Sequence, residues 1–198
     1  MTGIILAGGK NTRIRREKAF IELEAGQPLI ARIIEVLKAL FAEILIVSDK
    51  KEAYLNYDFP VVEDLIKGKG PLGGIFTGLC YSTSDYNFVV GCDMPFIEPN
   101  LIEFMLEGCQ EYDVVIPEIG GEVEPLLALY SKNCIPVIFE HLRRDSLKIR
   151  EILKNLKAKR IGETEIKQFD PRHLSFFNLN TLKDQKRAEE LLRSYASK

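Results

Sequence analysis

No apolar stretch in this chain reaches the roughly 18 residues that a membrane-spanning helix needs, so no span is expected. The start, Met1 to Leu6, lacks the charged opening and long apolar core of a secretory signal. A soluble cytoplasmic protein is the expectation. Cysteine is sparse and wrongly spaced for metal. Cys80, Cys92, Cys109 and Cys134 include no C-x-x-C pair, so they read as reduced, mostly buried thiols without a structural metal. Histidine occurs twice, at His141 and His173, and neither falls in a metal or triad signature. No Ser-His-Asp or Cys-His set is visible. An excess of one charge is missing too: the formal net charge is -2. No overall field then draws nucleic acid or an anionic membrane, and any anion site must be local. Repeats, low-complexity segments and linkers are absent, so residues 1–198 read as one domain.

What is present is ordinary globular composition, 46% hydrophobic and 28% charged. "TGIILAG" reads as a buried strand, Thr2 to Leu6, stopped by Gly8 and Gly9. "PLIARIIEVLKALF" places Leu29, Ile30, Ile33, Ile34, Leu37, Leu40 and Phe41 at helical spacing, with Pro28 suited to the first turn. "EILIVSD", "FPVVED" and "YNFVVGCDMPF" read as further strands, and "GPLGGIFTGLCYS" enters a helix near Leu72. "EPNLIEFMLEG" is a helix ended by Gly108. "YDVVIPE" and "PLLALYS" flank the turn-like "IGGEVE" as a possible hairpin, which would make the sheet mixed. "NCIPVIFEHLRR" and "SLKIREILKNLK" read as helices, "KAKRIG" and "LSFFNLN" as short strands. "TLKDQKRAEELLRSY" is a last helix, capped by Thr181 and Asp184. The pattern is α/β: a mostly parallel, mixed sheet flanked by helices, Rossmann-like in layout.

In such a sheet, ligands bind beyond the carboxyl ends of the strands. Three predicted strands end unusually there: one in Leu6, Ala7, Gly8 and Gly9, one in Glu63 and Asp64, one in Cys92 and Asp93. The Gly-Gly pair fits neither a Rossmann fingerprint nor a P-loop. It can be a plain turn or a backbone cradle for a ligand. Five cations follow within nine residues, Lys10, Arg13, Arg15, Arg16 and Lys18, opposed only by Glu17. That run is either a solvated charge stretch or a phosphate site, since a nucleoside triphosphate carries about four negative charges. Asp93 and Asp64 each read as a turn cap or as a hard oxygen ligand for Mg²⁺. "KGKGPLGG" adds a second Gly-rich loop with Lys67 and Lys69, a surface turn or a substrate wall.

These residues resemble a known family. "LAGGKNTRIRREKAF", "VVEDLIKGKGPLGGIFTGL", "GCDMPFI" and "FNLNTLKDQKRAEELL" occur in the order found in the molybdenum cofactor guanylyltransferases, of the nucleotidyltransferase superfamily. Leu6, Ala7, Gly8, Gly9, Arg13 and Lys18 match the opening signature. Asn11, Ile14, Arg15 and Glu17 depart from it, and Arg15 stands where the family has glycine. Either the loop runs differently there or Arg15 is a further phosphate contact.

The resemblance implies transfer of GMP from GTP to the terminal phosphate of molybdenum-molybdopterin, with release of pyrophosphate and formation of the guanine dinucleotide cofactor. It also implies that Leu6, Ala7, Gly8 and Gly9 cradle the nucleotide and that Lys18 holds its phosphates, with Arg13 on the β/γ end. It implies further that Ser48 and Asp64 lie near the nucleoside, Asp93 carries Mg²⁺, and Asn178 and Asn180 face the acceptor. Arg13, Lys18 and Asp93 would be the catalytic set. A nucleotide-binding part of about 1–95 and an acceptor part of about 96–198 follow, with molybdoenzymes or chaperones as partners. The alternatives are a CTP-dependent transferase of molybdopterin or a sugar or polyol phosphate, and an inactive nucleotide-binding regulator.

Overall fold

The computed structural model describes residues 1–8, 18–23 and 26–196. Along the chain run β1 (Thr2–Leu6), β2 (Glu22–Leu23), β3 (Gln27–Pro28), α1 (Leu29–Leu40), β4 (Glu43–Val47) and β5 (Val61–Val62). Then come α2 (Gly70–Tyr81), β6 (Tyr86–Gly91), α3 (Pro99–Leu106), β7 (Val114–Ile119), β8 (Glu122–Val123) and β9 (Leu127–Ser131). The chain continues with α4 (Cys134–Arg143), α5 (Ile149–Ile152), β10 (Ala158–Gly162), α6 (Glu163–Phe169) and α7 (Leu182–Ala196). The main sheet has the order β10-β7-β9-β6-β1-β4-β5, with β8 paired to β7. β1 is central and parallel to both β4 and β6. β9 runs against both its neighbours, so the sheet is mixed.

Every residue of β1 is buried, because helices cover both faces of the sheet. Side chains alternate between the faces. Ile5, Ile46, Phe88 and Val90 pack with the apolar stripe of α1 (Ile30, Ile33, Ile34, Leu37), with Ile102 and Met105 of α3 and with Ile166 of α6. Ile4, Leu6, Leu45 and Val89 pack on the opposite face with Leu72, Ile75 and Leu79 of α2 and Ile138 and Leu142 of α4. A third, smaller cluster joins Ile21, Leu23 and Leu29 to Leu179 and Ala188. It seats the β2–β3 hairpin against α7.

α2 lies close on β1. A Cβ at Gly78 would stand 2.7 Å from Cγ2 of Ile4, a buried and β-branched side chain. Gly78→Ala should therefore destabilise the fold by about 1–3 kcal/mol through overpacking, against alanine's helix-propensity gain of about 1 kcal/mol. That corresponds to about 2–4 °C in Tm per kcal/mol. A melt above the wild type would show that Ile4 gives way freely and that only the propensity gain remains.

Several expectations need adjustment. Pro28 occupies the cap position before α1 rather than its first turn. α2 begins at Gly70, with Pro71 inside its first turn, earlier than Leu72. "SLKIREILKNLK" is helical only over α5, followed by a 3₁₀ turn at Leu153–Asn155. "LSFFNLN" is not a strand: the Asp170 carboxylate accepts the Leu174 and Ser175 N–H groups at 2.9 and 2.7 Å and folds Leu174–Phe176 into a 3₁₀ turn. α6 and the β2–β3 hairpin were not legible in the sequence. The hairpin around "IGGEVE" does form, as β7–β8, with Gly120 and Gly121 at φ 58° and 78°. Both central residues of a type I′ turn need positive φ, which glycine supplies without strain. β7 and β9 also pair antiparallel. The cap of α7 is reciprocal: the Asp184 carboxylate accepts the Thr181 N–H at 2.7 Å and the Asp184 N–H donates to Thr181 Oγ1 at 3.2 Å.

Candidate active site

The parallel strands place their carboxyl ends on one edge of the sheet, and backbone hydrogen bonds tie those ends together. The Ala7 N–H donates to the Val47 carbonyl (2.9 Å), the Ser48 N–H to Val62 (2.9 Å) and the Cys92 N–H to Leu6 (3.1 Å). Because β9 is reversed, it is its start that reaches this edge, where the Gly91 N–H donates to the Leu126 carbonyl at 3.0 Å. Read along the edge, the strands bring up Asp64 after β5, Ser48 after β4, Gly8 after β1, Asp93 after β6 and Glu124 before β9.

Asp93 is the centre of this row. Its Oδ2 lies 2.7 Å from Lys18 Nζ, and the same nitrogen donates to Asn180 Oδ1 at 2.5 Å. The Leu179 N–H donates to the Asp93 carbonyl at 2.8 Å. Lys18 and Asp93 side chains are 20% and 19% exposed, so solvent screens this pair less than an ordinary surface salt bridge. Gly91 is needed here for room: a Cβ would stand 2.9 Å from Asp93 Oδ1. Lys18 reaches the edge because Ala19 and Ile21 are buried. Asn180 reaches it from the cap of α7, where its own N–H donates to Asp184 at 3.0 Å. Its backbone serves the cap while its side chain meets Lys18. The Asn178 side-chain amide donates to the Phe176 carbonyl at 3.3 Å and is close enough to Glu124 to favour its ionised form.

On the β5 side, the Leu65 N–H donates to Thr77 Oγ1 at 3.0 Å, which fixes the chain just beyond Asp64. Burial pushes the Asp64 carboxyl up, Asp49 adds to the rise and Lys67 opposes it. Its Oδ1 is buried without a hydrogen-bond partner. A buried acceptor of that kind is costly unless a ligand satisfies it. Ser48 is buried, and its Oγ accepts the Lys50 N–H at 3.2 Å. The Leu6 carbonyl and the Ala7 amide are engaged in the sheet, and Tyr54 OH donates to the Ala7 carbonyl at 3.2 Å. Gly8 is exposed, and a Cβ there would meet open space. In the second Gly-rich loop, Lys67 bridges Glu63 at 3.2 Å and Lys69 bridges Asp145 at 2.9 Å. Gly9 and Arg13 lie outside the described residues, as does Arg15.

The sequence reading missed Glu124. Its carboxylate accepts the Leu126 N–H at 3.0 Å, and burial pushes its carboxyl up, with the Asp93 charge adding and the Leu126 and Asn178 hydrogen bonds opposing. The available signal was the glutamate three residues before a buried strand.

As a donor set, Asp93 offers one carboxylate at the centre of the edge. Among the described residues, no three His, Cys, Asp or Glu gather as a metal cage. The Asp93 carboxylate by itself is a donor that fits a cation such as Mg²⁺, which is held by one or two carboxylates together with substrate phosphates.

A family model described as the MobA-like NTP transferase domain matches residues 3–161. The chain belongs to this family. Among MobA-like relatives, the probable molybdenum cofactor guanylyltransferase of Pelotomaculum thermopropionicum is 40% identical over 183 residues, covering 92% of this chain and 89% of that one. The molybdenum cofactor guanylyltransferase of Desulfosudis oleivorans is 34% identical over 196 residues, covering 98% and 96%. The solved structure of molybdopterin-guanine dinucleotide biosynthesis protein A from Archaeoglobus fulgidus superposes with a TM-score of 0.87 at 30% identity, covering 98% of this chain and all 100% of that one. The MobA-like match takes in all of β1 but Thr2, together with Lys18, Asp64, Asp93 and Glu124, while Asn178 and Asn180 lie beyond it.

Proposed function

We propose that this protein transfers GMP from GTP to the terminal phosphate of molybdopterin, releasing pyrophosphate and leaving the guanine dinucleotide form of the cofactor. The observation that carries this reading is the meeting of Lys18, Asp93 and Asn180 at one point of the sheet edge, in a chain whose relatives bear guanylyltransferase names. Joining two phosphate-bearing substrates needs no covalent enzyme intermediate. It needs alignment and cations where charge develops. Lys18 supplies one cation, and Arg13 is assigned to the β/γ end of the triphosphate. Asp93 would hold Mg²⁺, which when bound neutralises phosphate charge and orients the reacting groups. Asp64, with its unpartnered buried oxygen, is assigned to the nucleoside. Ser48 lies beside it on the same edge. The Gly8 backbone is open for approach by phosphate, with Gly9 assigned to the same cradle. Asn178 and Asn180 are assigned to the acceptor.

Melting the protein with GTP, CTP and ATP, each with and without Mg²⁺, tests the reading. GTP with Mg²⁺ at about 100 times its Kd should stabilise the fold by about 2.7 kcal/mol. A shift with CTP alone would replace the guanylyl reading with a cytidylyl one. No shift with any nucleotide would overturn nucleotide binding itself.

A further inference from the structure

The two substrates of the proposed reaction carry nearly the same heterocyclic edge. Guanine and pterin each present a ring N–H and an exocyclic amine beside a carbonyl. An enzyme that keeps them apart needs a separate set of acceptors on each side of the reacting phosphates. The sheet edge has carboxylates on both sides of Asp93. Asp64 lies beyond β5, on the nucleoside side. Glu124 lies at the start of β9, on the side of Asn178.

Glu124 is a costly residue at this place unless it has a purpose. It adds negative charge beside Asp93, where two phosphate-bearing substrates must meet, and burial and Asp93 both disfavour its ionised form. The fold nevertheless holds its carboxylate in place. Its own N–H donates to the Pro117 carbonyl at 3.0 Å and the Leu126 N–H donates to Oε1 at 3.0 Å, while the nearby Asn178 amide favours the carboxylate. These groups are neutral, and among the described residues no cation pairs with the carboxylate. An ionised carboxylate has about four acceptor positions, so at least two remain. A phosphate would be repelled there. A paired N–H and NH₂ edge matches a carboxylate with two parallel hydrogen bonds, as guanidinium groups do.

We propose that Glu124 is the specificity-determining residue for the acceptor, accepting hydrogen bonds from the ring N–H and exocyclic amine of the pterin while Asn178 fixes its orientation. The inference rests on the guanylyl-transfer reading. Glu124→Gln keeps the size of the side chain and an oxygen for the Leu126 N–H, but turns one acceptor into a donor facing the pterin amine.

In Glu124→Gln, the KM for molybdopterin and the Kd from a pterin fluorescence titration should both rise by about 10- to 100-fold, the range for hydrogen bonds to a charged group. The melting shift given by GTP with Mg²⁺ should match the wild type, and kcat at saturating acceptor should change little. Glu124→Asp, which keeps the charge but shortens its reach, should fall between the two. Unchanged acceptor KM and pterin Kd would overturn the proposal. So would a lost GTP–Mg²⁺ shift, which would put Glu124 with the nucleotide or the metal. A wild-type protein that binds GTP but transfers no GMP to molybdopterin would overturn the guanylyl reading and this inference with it.

Discussion

Replacing Asp93 with asparagine should lower turnover by about 10²-fold or more, the range seen when a group that stabilises developing charge is removed. The substitution is nearly isosteric. Gly91 still leaves room beside the side chain, and the Leu179 N–H still donates to the residue 93 carbonyl. The fold should therefore melt close to the wild type, and the loss should be one of charge. On the proposed reading, asparagine removes the carboxylate that would hold Mg²⁺ against the phosphates. The Mg²⁺ concentration needed for half-maximal rate should rise together with the loss of kcat. Steady-state kinetics across a Mg²⁺ titration read both quantities. Near-normal turnover at ordinary Mg²⁺ would remove Asp93 from the metal role.

The second large effect is expected at Lys18. Lys18→Met keeps much of the apolar stem and removes the ammonium that now bridges Asp93 and Asn180 at 2.7 and 2.5 Å. Charge-assisted hydrogen bonds contribute about 1.5–3 kcal/mol each, so kcat/KM for GTP should fall by about 10- to 100-fold. Lys18→Arg should recover only part of this, because a planar fork does not occupy the place of a compact ammonium. Comparing kcat/KM for GTP with the melting shift it produces separates a binding loss from a chemical one. An unchanged kcat/KM would mean that Lys18 only holds Asp93 and Asn180 together.

Much of the fold was legible because parallel strands covered on both faces leave unbroken apolar runs, and such runs stop visibly. "TGIIL" ending at Ala7 and Gly8, and "FVVG" ending at Asp93, gave both the central strands and the edge where their chemistry lies. The same logic failed at Glu124. It looked for functional groups where strands end, but β9 is reversed and presents its beginning. "LSFFNLN" misled for another reason. Its aromatic content suits a strand, yet the Asp170 carboxylate, four residues before Leu174, takes the backbone N–H groups that a sheet would have used. Single-residue acceptors of that kind leave no periodic trace. Asp64 was legible as a strand-end acid, whereas its unpartnered oxygen depends on packing that no local pattern encodes.

The small cluster joining Ile21, Leu23 and Leu29 to Leu179 and Ala188 has a consequence for the order in which the site is built along the chain. Lys18 and Asn180 meet across 162 positions of sequence. The described strands of the main sheet all precede Glu163 in the sequence, whereas Leu179 and Ala188, against which the β2–β3 hairpin packs, come after it. Along the sequence the sheet is thus complete before the point where Lys18, Asp93 and Asn180 meet, and α7 is the helix that turns a folded scaffold into an assembled candidate site.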